Sequence, residues 1–300
     1  MNKLYESKAI GLFVMLFAYV IAASWGVVLA WALEHYAHTP LLLNVFLGDV
    51  LATIIIYLFS LLFKTSSMYD PYWSVQSFLI FLLLLFKFKS FDLSNILMLV
   101  ALGIYTIRLT GNFIVGFDNL TYVDWRYRML KEKTGKLFQL VNFFGIMMFP
   151  TCVVYLCTIP FIYMAQESLP LYLSIIFACL ALGGVILELI SDTQMKRFVK
   201  TRSDRKEVLE KGLWKFSRHP NYLGEISIWF AFAIPVVIFK PELWLVLAGS
   251  LLNLVMFLVI SIPMEEKHFK DYKPNYQDYK KQTSMLLILP RRKLKKAQED

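Results

Sequence analysis

The chain has 300 residues, of which 58% are hydrophobic and 18% charged, and its formal net charge is +9. A soluble domain of this size has roughly 45–50% apolar and about 25% charged residues, so composition excludes both a cytosolic globule and a disordered chain. The expected class is all-α, a polytopic bundle of membrane-spanning helices, in which the meaning of the basic excess depends on where it lies.

Apolar runs long enough to cross about 30 Å of hydrocarbon fall at 10–33, 41–63, 93–110, 138–164, 169–191, 223–239 and 243–264. An eighth, 74–86, is short and spans only if Lys87 and Lys89 snorkel and the helix continues to Phe91. The first run exceeds the roughly 7–15 apolar residues of a signal peptide and no small-residue cleavage site follows it, so it is read as a retained helix. With the N-terminus inside, all of the 31 Lys and Arg fall in inside segments except Lys87, Lys89, Lys240 and the intramembrane Arg108. Eight spans with both termini cytoplasmic follow from the positive-inside rule, whereas seven would place a large basic segment outside. No linker or repeat divides the chain, which reads as one domain, 1–300. Its polar mass gathers near 111–137, 192–222 and 265–300, and only the last ten residues resemble a solvated tail.

The glycines form neither G-x-G-x-x-G nor a P-loop, so Rossmann and P-loop nucleotide sites are excluded. Cys152, Cys157 and Cys179 lack metal or redox spacing, and His35 and His38 have Glu34 as their one nearby acid, so no metal is expected. Asp49, Arg108, Glu188 and Glu225 stand within spans, where ionisable groups are costly and by default functional. Glu188, Asp192 and Lys196 at i, i+4 and i+8 form one helical stripe, either a plain surface pair or a charged wall of a cavity.

The densest chemistry is GLWKFSRHPNYLGE, residues 212–225, just before the seventh span. Arg218 can fork onto a phosphate, Trp214 and Tyr222 offer faces to a planar ring, and Asn221 and Glu225 can bond an amide or ribose. His219-Pro220 sets a bend before the helix. An interfacial aromatic and basic belt explains Trp and Tyr but not Asn and Glu one turn apart.

Together with YDPYWSV (69–75), Arg108-Leu109, VDWRY (123–127), YQDYKKQTS (276–284) and Pro290, this motif makes the chain resemble the steroid 5-alpha-reductase superfamily, in particular a bacterial branch of membrane proteins. The central motif is also similar to that of sterol C14 and C7 reductases and, in reduced form, of isoprenylcysteine and phospholipid methyltransferases. The resemblance implies NADPH held without a Rossmann fold in a cytoplasm-facing cavity of the C-terminal half, 185–290. It implies Asn221 and Glu225 near the nicotinamide and Asp192 on the preceding helix. Lys196, Arg197 and Lys200 become phosphate contacts, with Lys280 and Lys281 as further candidates, and Arg126, Arg218, Tyr276 and Tyr279 cavity residues. Trp214, His219 and Tyr222 complete the cofactor set.

In the steroid enzymes hydride adds to an enone while a Glu and a Tyr stabilise its oxygen. Asp70 and Tyr105 match those positions and are the expected catalytic pair. Tyr69-Asp70 replaces the steroid enzymes' Gln-Glu, His219-Pro220 is absent from them, and this chain has an additional N-terminal span, so a sterol substrate is not implied. The expected activity is reduction of an activated C=C bond in a lipophilic, steroid- or isoprenoid-like substrate at a bacterial inner membrane. Two alternatives remain: an S-adenosylmethionine-dependent membrane methyltransferase, which fits RHPNY and Glu265-Glu266, and a non-catalytic lipid-binding protein.

Overall fold

The computed structural model describes residues 6–292, so Lys3 and the tail from residue 293 lie outside the described residues. The protein is an all-α integral membrane protein with eight helical stretches long and apolar enough to cross a bilayer. Among the described residues no strand forms, and Ser217 and Ser284 make an isolated parallel bridge.

The helices are α1 (Lys8–Ala37), α2 (Leu41–Phe63), α3 (Tyr72–Phe88), α4 (Leu93–Gly116), α5 (Trp125–Thr134), α6 (Phe138–Leu140), α7 (Phe149–Gln166), α8 (Leu171–Thr201), α9 (Pro220–Phe239), α10 (Leu247–Met256), α11 (Ile262–Tyr272) and α12 (Tyr276–Gln282). A π-helical stretch, Val141–Met148, joins α6 to α7, and another, Phe257–Ser261, joins α10 to α11. The helix ends follow local chemistry. Ser7 caps α1, Asp92 accepts from the amides of Ser94 and Asn95 at the start of α4, and Asp124 caps α5 through the Arg126 amide. Pro220 opens α9, where its missing N–H has no intrahelical partner to lose.

The short third span does not gain its length where the sequence suggested. Lys89 adopts a left-handed conformation (φ 52°) and ends the helix at Phe88, short of Phe91. The extension comes at the other end, where α3 starts at Tyr72 behind a 3-10 turn over Ser66–Tyr69.

Two apolar cores hold the bundle. One joins α3, α4, α7, α8 and α9 around Phe81, Leu102, Phe161, Trp229 and Phe232. The other packs α1 and α2 against Met68, Tyr69, Phe117 and Leu120. Large apolar side chains such as Phe13, Leu16, Ile107 and Val259 stay exposed on the outer surface, as a lipid-facing belt requires. Two crossings depend on glycine. A Cβ on Gly26 would come within 2.7 Å of the Gly48 carbonyl oxygen, and one on Gly224 within 2.7 Å of the Gly184 carbonyl oxygen. The second contact lets α8 and α9 approach closely enough to share one polar wall.

Candidate functional site

At the end of the bundle carrying most of the basic loops, a cavity of about 380 Å³ opens between α4, α5, α8, α9 and α11. Its wall includes Arg108 and Asn112 from α4, Asp192 and Glu188 from α8, Asn221, Tyr222 and Glu225 from α9, and Glu265 from α11. Asp124, Trp125 and Arg126 contribute from the α5 end. Trp125 stacks on His268 at 4.2 Å and 14° and so ties α5 to α11.

The wall between α4 and α8 is a pair of facing polar stripes. Arg108 donates to Glu188 Oε2 at 2.8 Å and to Asp192, Asn112 donates to Asp192 at 3.0 Å, and Lys196 donates to Asn112 Oδ1. Residues 108 and 112 are one turn apart on α4, as 188, 192 and 196 are on α8, so each helix presents its ladder to the other. The Glu188–Asp192–Lys196 stripe is thus a helix–helix joint bordering the cavity, and Lys196 pairs across to α4.

Deeper in, Glu225 Oε1 accepts from the Tyr105 hydroxyl and the Trp229 indole N–H, both at 2.7 Å. Asn221, one turn earlier, lines the cavity with its Oδ1 buried and without a hydrogen-bond partner. The Tyr222 hydroxyl donates to Glu265 Oε2 at 2.8 Å, and its ring lies parallel to that of His219 at 5.3 Å. His219 sits between Glu265 (3.5 Å) and Glu266 (3.4 Å). Burial disfavours its charged form, but these two carboxylates prevail and hold its pKa above the ordinary histidine value.

Several expected cofactor residues are committed elsewhere. Arg218 donates to Glu266 Oε1 at 2.7 Å and to the carbonyl oxygens of Lys280 (2.8 Å) and Thr283 (2.7 Å), leaving no fork for a phosphate. Trp214 is buried and donates to the Ser191 carbonyl, the Tyr279 hydroxyl donates to the Trp214 carbonyl, and Lys280 pairs with Glu266 at 2.6 Å. Tyr276 is buried against Phe269 and Tyr279. These five residues form a clamp that fastens the C-terminal segment behind the cavity, and none of them lines it. Backbone bonds complete the clamp, from Arg218 N to Ser284 O and from Leu289 N to Phe216 O. Arg197 and Lys200 are exposed at the end of α8, outside the cavity wall.

Asp70 and Tyr105 are not brought together as donors to one substrate oxygen. Tyr105 is fully buried and its hydroxyl donates a hydrogen bond to Glu225, whereas Asp70 accepts from Tyr127 in the other core, and neither lines the cavity. Asn112, Asp124, Trp125 and Glu265 are wall residues that sequence reasoning did not select as site residues. Asn112 carried a readable signal, four residues after Arg108 on the same face. Asp124 and Trp125 stood in the VDWRY segment beside Arg126 and Glu265 in the Glu265-Glu266 pair, and the packing of α5 and α11 brings them into the wall.

The family model described as "Protein of unknown function (DUF1295)" matches residues 56–283. The chain belongs to that family, and the match contains every cavity residue named above while leaving out α1 and the first part of α2. No curated protein matches the chain, and no solved structure does.

Proposed function

We propose that the cavity is the cofactor site of a membrane-embedded, NADPH-dependent reductase of the steroid 5-alpha-reductase type. On this reading the enzyme adds hydride to an activated carbon–carbon double bond of a lipophilic substrate, and the basic end of the bundle lies in the cytoplasm. The observation that carries the reading is Asn221. Its buried Oδ1 lacks a donor one turn from Glu225, and the N–H groups of a nicotinamide carboxamide supply one.

Tyr222 and Trp125 offer ring faces; Arg126 is forked onto Asp124 through Nε (2.8 Å) and Nη2 (3.2 Å), so phosphates would be met by its remaining Nη1 and by Lys196, Arg197 and Lys200 at the end of α8. Bound NADPH supplies the hydride. The chain's own groups hold the carboxamide through Asn221 and Glu225, offset the carboxylates with Arg108, and steady negative charge on the substrate oxygen. A donor for that charge contributes about 3–4 kcal/mol in comparable sites. Tyr105 is the better placed of the two candidate donors because its partner Glu225 lines the cavity; Asp70, held by Tyr127, would have to exchange that bond.

One observation favours a second reading. The cavity presents the carboxyl groups of Asp124, Glu188, Asp192, Glu225 and Glu265 against the guanidinium groups of Arg108 and Arg126. An acidic wall suits a sulfonium such as S-adenosylmethionine better than a pyrophosphate. Thermal unfolding of the detergent-purified protein with NADPH, NADH or S-adenosylmethionine separates the readings, since a ligand at 100 times its Kd stabilises by about 2.7 kcal/mol. Selective stabilisation by NADPH is expected. A shift with S-adenosylmethionine alone overturns the reductase, and no shift with any of the three supports a non-catalytic lipid-binding protein. Once a substrate is found, Tyr105→Phe and Asp70→Asn should lower turnover without changing NADPH affinity; unaltered turnover in both rejects their roles.

A further inference from the structure

A second cavity, of about 490 Å³, lies between α1, α2 and α3 in the half of the bundle away from the basic loops. Its size falls in the range of small-molecule sites, about 300–1,000 Å³. The helix α1 follows α2 closely through Gly26 and Gly48. It meets α3 at the two ends of the cavity. At the deep end the Tyr19 and Tyr72 rings pack at 5.5 Å, and at the rim Lys87 pairs with Glu34 at 2.6 Å. Between these tethers the helices form a slot walled by apolar side chains such as Ala23, Val27, Val75 and Leu79. Tyr19 to Glu34 is about 15 helical residues, or roughly 22 Å, close to the length of an extended lipid chain.

The deep end is polar. Asp49 and Gln76 line the slot and are 5% and 4% exposed. Tyr72 donates to Asp49 Oδ1 at 3.3 Å, and the Gln76 amide nitrogen donates to Asp49 Oδ2. Gln76 Oε1 has no partner. An amide oxygen at this depth of an apolar bundle calls for a donor, and the shape of the slot allows that donor to arrive on the end of an apolar body.

We propose that this slot binds a lipid alcohol, a long-chain or isoprenoid molecule whose hydroxyl donates to Gln76 Oε1 while its chain lies along α1 towards the Glu34–Lys87 pair. An alcohol fits better than an amine because Asp49 already has a neutral donor on each oxygen, so the site asks for one more neutral hydrogen bond and not for a charge. The site is separate from the cofactor cavity: Trp73 faces that cavity, whereas Tyr72 and Gln76 face the slot. Its walls from α1 and the first part of α2 precede the family match, which begins at residue 56. It also stands whether or not the cofactor cavity binds NADPH.

The test is photolabelling of the full chain in lipid nanodiscs with hexadecanol carrying a diazirine, in competition with plain hexadecanol, its methyl ether and hexadecylamine. Labelling of α1 and α3 peptides is expected, with the alcohol competing about ten-fold better than the ether, the effect of one buried donor. Gln76→Leu should abolish that preference. Ala23→Phe, which fills the slot without touching a polar group, should lower labelling several-fold and carries the test if Gln76→Leu does not fold. Equal competition by alcohol and ether, stronger competition by the amine, or labelling unchanged in Ala23→Phe would overturn the proposal.

Discussion

The motif at 212–225 splits between two regions that use the same kinds of side chain in opposite ways. In the clamp behind α9, Arg218, Glu266, Lys280 and the carbonyl oxygens of Lys280 and Thr283 satisfy one another. In the cavity, a few residues further on, Asn221 Oδ1 has no partner and carboxylates outnumber guanidinium groups. A closed ionic network holds a structure together, whereas an open one waits for something else to complete it. Residue type alone does not distinguish the two, and neither does a count of unmet atoms, since Thr283 Oγ1 and Arg291 Nε also lack partners; what sets Asn221 apart is that it lines a cavity.

That contrast orders the tests. Arg218→Ala should have the largest effect, because it leaves Glu266 and two carbonyls facing a void in a buried network; removing one partner of such a pair costs about 3–5 kcal/mol. Thermal unfolding in detergent would register this as a large drop in midpoint. If stability were unchanged while nucleotide binding disappeared, Arg218 would belong to the cavity and the division would be wrong. Gly224→Ala comes next. Its Cβ would lie 2.7 Å from the Gly184 carbonyl oxygen and 2.5 Å from the Glu188 Cγ, forcing α8 and α9 apart at a cost of about 1–3 kcal/mol and widening the polar wall. Loss of both stability and ligand response is expected. Asn221→Ala should do the reverse, lowering the unfolding midpoint far less than Arg218→Ala because it gives up only the side-chain bond to Asp192 while its Oδ1 bonds nothing, and weakening NADPH about ten-fold for one lost hydrogen bond, about 1.4 kcal/mol. A destabilised variant with normal NADPH affinity would move Asn221 into the structural region.

The extent to which the sequence disclosed this arrangement follows from range. Seven of the eight spans were readable as local apolar runs whose length is set by the bilayer; the third was legible only in part, because its apolar run is short and its extra length comes from Tyr72 and the turn before it. Asn221, Tyr222 and Glu225 were readable as wall residues because Pro220 starts the helix and fixes their spacing on its first turns. Arg218, Trp214, Tyr276, Tyr279 and Lys280 looked like ligands because each seeks a partner, and distant parts of the chain provide those partners: the carbonyls of Lys280 and Thr283 for Arg218, the Ser191 carbonyl for Trp214, the Trp214 carbonyl for Tyr279, Glu266 for Lys280 and Phe269 for Tyr276. No local pattern ties residue 218 to residue 283. Asp49 is the same case in reverse. It stands within a span, and Tyr72 and Gln76 reach it from α3, a pairing set by the approach of two helices and not by spacing within either.

His219 stands on the border between the two regions, stacked on Tyr222 of the cavity wall and flanked by Glu266 of the clamp, and it gives the smallest predicted effect. Its folded pKa is raised above the unfolded value of about 6.5. The stabilisation by its charged ring is therefore complete below that unfolded value and is lost as pH rises through the folded pKa. Buried Lys273 runs the other way. Burial first, and then nearby Arg202, lower its pKa to about 8, so its contribution makes the fold gain stability as pH rises from there towards the ordinary lysine range. The two slopes have opposite signs. Subtracting the curve for His219→Gln removes Lys273 from the comparison and leaves the histidine together with the two glutamates it faces. The parent's advantage over the variant should be greatest below pH 6.5 and should shrink as pH rises above it. A pH-independent difference would mean that the ring contributes by packing on Tyr222 and not by its charge between the two glutamates.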